Sequence, residues 1–366
     1  MNDLRLYVTR LARCCMVAAA LAEPSDAADF SELAQCRAIS DKDQRLECYD
    51  SVTGREQPLI EVTPLPGAQM TSSPVLTEKT AAEPQYRWSI EDEHLHRLRP
   101  HKPNYIMLRQ SSRPNNQPFR ASSEFLPVVP APAPVHLDHN EMKFQVSVKA
   151  ALVRDLPLMG GDLWFAYTQQ SNWQVWNAAI SRPFRETDYE PEFMLSYQLN
   201  RQLAGAWTLR QLTWSLNHQS NGRGEPLSRS WNRIYAQLEF DRGKNLEVLV
   251  RPWWRIPESH SGDDNPAIEH YMGRGDVVVN YKAPTWNASL LLRNNLERKH
   301  NRGAAQLDVA FPCARLGDFI LKMQIFSGYG ESLIDYNHRQ TTIGLGVEAT
   351  GWMDRTFPKA PTACSR

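Results

Sequence analysis

The sequence predicts an all-β fold, a sandwich or barrel of about a dozen short antiparallel strands. Three observations predict it. From about residue 104 onward apolar and polar residues alternate in short runs. Clusters of Gly, Pro and polar residues separate the runs, as in Asp241-Arg-Gly-Lys and Lys282-Ala-Pro. No stretch of helical periodicity lies between them.

The elements follow in order. Residues 1–22 read as an export signal: Arg5, Arg10 and Arg13 are basic, 15–22 are small and apolar, and Ala20-Leu21-Ala22 has the small-x-small pattern of a cleavage site. Residues 23–53 form a helical extension, with Leu33, Ala38, Ile39 and Leu46 at roughly helical intervals. Cys36 and Cys48 are spaced to clip two short helices together. In an oxidising compartment a disulfide is expected there; the alternative is two unpaired thiols. Cys14 and Cys15 leave with the signal. A Pro-rich linker covers 54–95, and PVVPAPAPV (127–135) is a second Pro-rich segment, read as a loop. Strands are expected at 105–109, 143–152, 163–170, 193–203, 207–218, 232–240, 246–254, 276–281, 286–293, 304–311, 319–326 and 340–349.

Composition bounds the function. Lys+Arg and Asp+Glu both total 41, so formal net charge is zero and nothing draws the chain to nucleic acid. Mean hydropathy is -0.52. The sequence holds no uncharged apolar run of about 18 residues, so a transmembrane helix is not expected. A membrane barrel stays open, because its strands alternate apolar and polar residues. The 11 Trp and 12 Tyr fit the aromatic girdles of such barrels. No Cys/His spacing suggests zinc.

The alternation carries more. In WNASLLLR (286–293), Trp286, Ala288, Leu290 and Leu292 share one face, opposite Asn287, Ser289 and Arg293, with Leu291 the exception. A sandwich buries the apolar face against a second sheet; a membrane barrel turns it to lipid.

The chemistry gathers in NHQSNGRGEPLSRSWNR (217–233). His218 and Ser220 are two apart, so on a strand they share a face. A hydroxyl nucleophile needs an adjacent base, and the base needs a third group to fix its tautomer. Asn232 can offer an amide oxygen, and a hairpin centred near Glu225 places it opposite His218. Leu212, Trp214, Leu216 and His218 are in one phase, as are Asn232, Ile234, Ala236 and Leu238. If the apolar face meets lipid, so do His218 and Asn232. Upstream the phase is unclear, since Trp207 and Leu209 are odd, and a bulge or a tilt change is expected near Arg210 or Gln211.

That segment closely resembles the signature of the outer membrane phospholipase A family. HNEMKFQVSV (139–148), YTQQSNW (167–173), SRPFRETDYEP (181–191), DDNPAIEHYMG (263–273) and SGYGESLIDYN (327–337) agree in the same order. The resemblance covers about 104–352. It implies a twelve-stranded antiparallel transmembrane β-barrel over 96–352, with a small N-terminal helical periplasmic extension and a C-terminal tail at 353–366. Both termini are expected in the periplasm of an outer membrane protein. The implied activity is calcium-dependent hydrolysis of sn-1 and sn-2 acyl esters of glycerophospholipids and lysophospholipids. Ser220 is the implied nucleophile, His218 the base and Asn232 the orienting group, all on the barrel exterior. The implied Ca2+ positions are Arg223, through its backbone carbonyl, and Ser228 from one subunit with Ser181 from the other. Asp264 is implied in a further calcium mode of the monomer. Activation by homodimerisation is implied, with Gln169 bonding across the interface.

The chain departs from the family in two places. Glu225 stands where members carry Asp, which puts its part in calcium binding in doubt. The family barrel usually closes on an aromatic residue; here Trp352 is expected in that place, with a tail beyond it. A barrel of twelve strands puts Cys313 and Cys364 on the periplasmic side, where a disulfide is plausible. Two other readings compete: a catalytically silent, porin-like barrel, and a soluble β-sandwich or adhesin.

Overall fold

The computed structural model describes residues 95–118, 134–157, 159–224, 226–259, 262–312 and 319–349, with scattered positions between 36 and 51. The chain divides into two units, Met1–Glu78 and Lys79–Arg366. In the first, Cys36 and Cys48 form the expected disulfide, their Cα atoms 5.5 Å apart. The export signal, nearly all of the linker, residues 127–133, Glu225, Cys313, Cys364 and the C-terminal tail lie outside the described residues.

The second unit is one antiparallel sheet. Its strands are β1 (Arg99–Pro100), β2 (Asn104–Ser111), β3 (Asn140–Val153), β4 (Asp162–Trp173), β5 (Phe184–Gln202), β6 (Trp207–Ser220), β7 (Ser230–Arg242), β8 (Leu246–Ile256), β9 (Gly275–Lys282), β10 (Asn287–Asn294), β11 (Gly303–Pro312), β12 (Phe319–Tyr329) and β13 (Arg339–Ala349). Consecutive strands pair from β2 to β13, and β2 pairs with β13, so the twelve close into a barrel with no free edge. The short β1 lies beside β3.

Polarity runs inside out relative to a soluble protein. In β12, Ile320, Lys322, Gln324 and Phe326 are buried, while Phe319, Leu321, Met323 and Ile325 are exposed. Buried Arg109, Glu141, Lys143 and Glu192 face inward around the ring; exposed Ile106, Leu108, Val146, Phe193 and Leu216 face outward. A closed ring has no second sheet to cover that belt, so the sandwich reading is overturned: this is a transmembrane β-barrel with a polar lumen. Nine to eleven tilted residues span a bilayer, and most of these strands reach that length.

All twelve expected strands are present, with one large boundary correction. β5 was expected at 193–203 and runs from Phe184 to Gln202. The charges in FRETDYEP hid its first half. Glu186, Asp188 and Glu192 turn into the lumen and are buried there, so their charge does not break the strand. The expected irregularity near Arg210 is present, as a register shift between Leu209 and Gln211. A short helix absent from the sequence reading, α1 (Ile268–Met272), sits between β8 and β9.

Ion pairs fill the lumen. Lys102 Nζ lies 2.6 Å from Glu190 and His101 Nε2 lies 2.7 Å from Glu192. At the end where β6 runs into β7, residues 330–338 fold inward. Glu331 there meets Arg109 and Lys143, and Asp335 meets Arg185. Ile268 and Met272 of α1 join Leu333, Tyr336, Trp231, Tyr235 and Trp253 in one buried apolar cluster. A cavity of about 460 Å³ remains inside the barrel. Leu291, the exception to its strand's alternation, lines it.

Candidate active site

Alternation along β6 and β7 decides where the chemistry lies. Thr213, Ser215 and Asn217 point into the lumen, and Trp214 and Leu216 point out. His218 continues the outward phase. On β7, Trp231 and Arg233 turn inward, where the guanidinium lies 4.0 Å from the Trp231 ring centre. Asn232 between them therefore turns outward. The two strands pair in the register His218↔Asn232. Across that rung the His218 Nδ1 and Asn232 Oδ1 are 2.8 Å apart. An amide oxygen only accepts, so Nδ1 carries a proton, and in the neutral ring Nε2 then keeps its lone pair.

Ser220 is the last residue of β6, two beyond His218 on the same face. No hydrogen bond joins its hydroxyl to the imidazole in this structure. The surroundings are apolar. Trp214, Leu216, Phe193, Ile234 and Trp254 are all exposed on the outer face. Leu216 pairs with Phe193 and Ile234, and Ile234 pairs with Trp254. The adjacent tryptophans of β8 thus split, Trp254 to the outside and Trp253 to the inner cluster.

Asn221 holds the link from β6 to β7 together with Arg229. Asn221 Oδ1 accepts from the Arg223 N–H at 3.3 Å and the Arg229 N–H at 3.0 Å. Its Nδ2 donates to the Leu227 carbonyl at 2.9 Å and to Glu186 at 3.1 Å. Gly222 turns the chain at φ 63°, where a Cβ would also sit 3.1 Å from the Tyr189 ring. Arg229 is fully buried and donates to the carbonyls of Pro226, Ser228 and Pro118.

The expected calcium residues fall in two groups. Ser228 Oγ donates to an Asp264 carboxylate oxygen. Arg223 is nearby in the hairpin, its guanidinium committed to the carbonyls of Phe184 and Arg185. Ser181 stands in the β4–β5 connection, exposed, with φ 61°. Asp263 is not a free loop carboxylate: it pairs with Arg255 at 2.6 Å. The donors are all oxygen, which suits Ca2+. Among the described residues, no cluster of three His, Cys, Asp or Glu offers an alternative metal site. Gln169 faces outward on β4, accepting from the Tyr167 hydroxyl at 3.1 Å.

One further carboxylate belongs here. Asn232 Nδ2 donates to Glu258 Oε1 at 3.0 Å. Burial raises the Glu258 pKa above the ordinary carboxylate value; Arg255 opposes the shift and Asp263 adds to it.

The phospholipase A1 family model matches residues 84–349. Phospholipase A1 of Escherichia coli is 38% identical over 250 residues, 68% of this chain and 80% of that one. The chain belongs to the phospholipase A1 family. The solved E. coli outer membrane phospholipase A superposes with a TM-score of 0.60 at 37% identity, covering 69% of this chain and 93% of that chain. One structure of the same E. coli protein is of an active-site mutant in which an asparagine is replaced by alanine. The outer membrane phospholipase of Salmonella typhi, solved as a dimer with bound calcium, is 36% identical, with a TM-score of 0.60 and coverage of 69% and 92%. A putative phospholipase A1 of Neisseria meningitidis is 44% identical over 210 residues. The match spans 57% of this chain and about half of that relative, 54%. The barrel is thus that of an outer membrane phospholipase.

Sequence reasoning missed Asn221 and Glu258. Asn221 stands inside the recognised motif, but its role depends on the shape of the turn. Glu258 carried a weak signal: Trp254, Ile256 and Glu258 share one phase, and Asn232 pairs with Ile256.

Proposed function

We propose that this chain is a calcium-dependent phospholipase of the outer membrane, with Ser220 as nucleophile, His218 as general base and Asn232 as the group that orients the imidazole. The observation that carries this reading is the 2.8 Å contact between His218 Nδ1 and Asn232 Oδ1 on an apolar outer surface. A lipid ester is the substrate that surface meets. In the reaction, Ser220 Oγ bonds the ester carbonyl carbon as its proton passes to His218 Nε2. The tetrahedral adduct collapses, the lysolipid oxygen leaves with that proton, and an acyl-serine remains. Water, deprotonated by the same Nε2, then attacks the acyl carbon, and fatty acid and Ser220 are released. A neutral amide stabilises the transient imidazolium less than a carboxylate does. The active-site asparagine of the E. coli relative supports the role given to Asn232.

The Arg223 carbonyl and Ser228, with Ser181 from a second copy, would hold calcium, and Asp264, which accepts from Ser228, would hold it in the further mode of the monomer. The ion would supply positive charge to stabilise the oxyanion. The calcium-bound dimer of the S. typhi relative supports both the ion and the pairing. The substrates are the sn-1 and sn-2 esters of glycerophospholipids and their lysolipids. The chain termini face the periplasm, which puts the β6–β7 hairpin at the outer rim.

The test is fatty-acid release from phosphatidylethanolamine by detergent-purified protein, with calcium or EDTA, beside Ser220→Ala. Release that needs calcium and is lost in Ser220→Ala is expected. No release from folded wild-type protein in calcium would reject the reading in favour of a silent barrel.

A further inference from the structure

Asn232 makes two side-chain contacts, and they are not interchangeable. Its Oδ1 lies 2.8 Å from His218 Nδ1, and its Nδ2 lies 3.0 Å from Glu258 Oε1. A carboxamide has an acceptor end and a donor end, and a half-turn of its plane exchanges them. With Oδ1 toward the imidazole, Nδ1 holds the proton and Nε2 is free to take one from a hydroxyl. With the NH2 end toward the imidazole, the ring must accept at Nδ1 and carry its proton on Nε2, the tautomer that cannot serve as base. Asparagine by itself does not choose. An ionised carboxylate does, because it only accepts and admits only the Nδ2 end.

The backbone places Glu258 for this. Asn232 pairs with Ile256 across β7 and β8. Trp254, Ile256 and Glu258 share the outward phase, so Glu258 stands one rung past the partner of Asn232, within diagonal reach. Pro257 intervenes where β8 has ended and no ladder hydrogen bond is lost. The other Glu258 oxygen has no hydrogen bond and lies 4.0 Å from Arg255, whose closer partner is Asp263 at 2.6 Å. Glu258 therefore remains available to Asn232.

We propose that Glu258 is a positioning residue of this site: it holds Nδ2 of Asn232 and so turns Oδ1 toward His218. The proposal rests on the triad reading given above. It deepens that reading with a fourth residue which acts only through the amide.

A carboxylate at position 232 has no donor end, so it needs no such steering and is repelled by Glu258. The effect of removing the Glu258 charge should therefore change sign between backgrounds. Calcium-dependent kcat and KM on detergent-dispersed phosphatidylethanolamine are measured for wild type, Glu258→Gln, Asn232→Asp and Asn232→Asp/Glu258→Gln, with Ser220→Ala alongside. Glu258→Gln should lower kcat about tenfold, with KM within about twofold. In the Asn232→Asp background the same change should raise kcat severalfold. A general loss of fold lowers both backgrounds and cannot produce that reversal. Equal effects in both backgrounds, or none in either, would overturn the positioning role. Failure of the triad itself is read separately, as calcium-dependent release that survives Ser220→Ala, and the role of Glu258 falls with it.

Discussion

At the scale of single residues, the hairpin that carries Arg223 and Ser228 depends on Asn221. This side chain is buried and makes four hydrogen bonds, two of them to the backbone N–H groups of Arg223 and Arg229. Asn221→Ala would leave the buried Arg229 N–H without this partner, at a cost of about 1–3 kcal/mol, and would release the partly buried Arg223 N–H to water. The loss should fall on the hairpin, since β6 and β7 keep their ladder. Asn221→Ala is expected to raise the calcium concentration for half-maximal activity about tenfold or more while the barrel stays folded. A calcium titration of fatty-acid release, with heat-modified gel mobility as the folding control, checks both halves; an unchanged calcium requirement would remove Asn221 from the account. The contrast with His218 explains what the sequence disclosed. The pairing of His218 with Asn232, and the shared face of His218 and Ser220, were legible because strand parity and the hairpin fix them. Asn221 makes contacts set by the turn, which no residue spacing encodes, and Glu258 lies past the end of β8, where its phase with Trp254 and Ile256 is the one signal.

At the scale of elements, the segment 330–338 closes one end of the lumen. In the structure Glu331 Oε2 meets Arg109 Nη2 at 2.7 Å and Glu331 Oε1 meets Lys143 at 3.2 Å. Burial on its own would raise the Glu331 pKa, but Arg109 and Lys143 outweigh it and bring it from 4.5 to about 2. A depressed carboxylate stabilises the fold above its unfolded pKa, and that contribution fades as pH falls toward the folded value. The shift corresponds to something on the order of 3 kcal/mol. Glu331→Gln should therefore destabilise the barrel by about that amount near pH 7, with the gap to wild type narrowing between about pH 4.5 and pH 2. Urea unfolding in detergent at neutral and acid pH measures it, and a gap that is constant with pH would mean the ion pairs contribute nothing. The same physics explains the misread start of β5. Charged residues read as loop in a water-soluble frame, but inside a barrel Glu186, Asp188 and Glu192 are ordinary lumen residues. The other strand positions were legible, because period-two alternation survives whichever side is wet.

At the scale of the whole molecule, the outer face is an apolar belt around a polar interior, and Gln169 is one of the polar groups on that belt. Gln169 faces outward from β4, bonded to the Tyr167 hydroxyl at 3.1 Å and only weakly to Ser171 at 3.5 Å. Polar groups at that depth are costly unless partnered, and a second copy meeting it about a two-fold axis would supply a matching amide. The exposed aromatic groups near it, Phe184 stacked on Trp173 at 5.2 Å and Phe193 against Phe165 at 5.2 Å, extend the same wall. Ser181 stands at the rim end of β4 and β5, the strands that carry this wall, so a pairing there brings the exposed Ser181 of one copy toward the β6–β7 hairpin of the other. On the proposed pairing, activity would be a property of the pair. Gln169→Ala should weaken self-association in detergent with calcium, seen as a shift toward monomer in sedimentation equilibrium. Specific activity at low protein concentration should fall in step, and should be restored when copies are cross-linked. The idea is lost if sedimentation shows fewer dimers while specific activity stays constant, because the site would then be complete within one barrel.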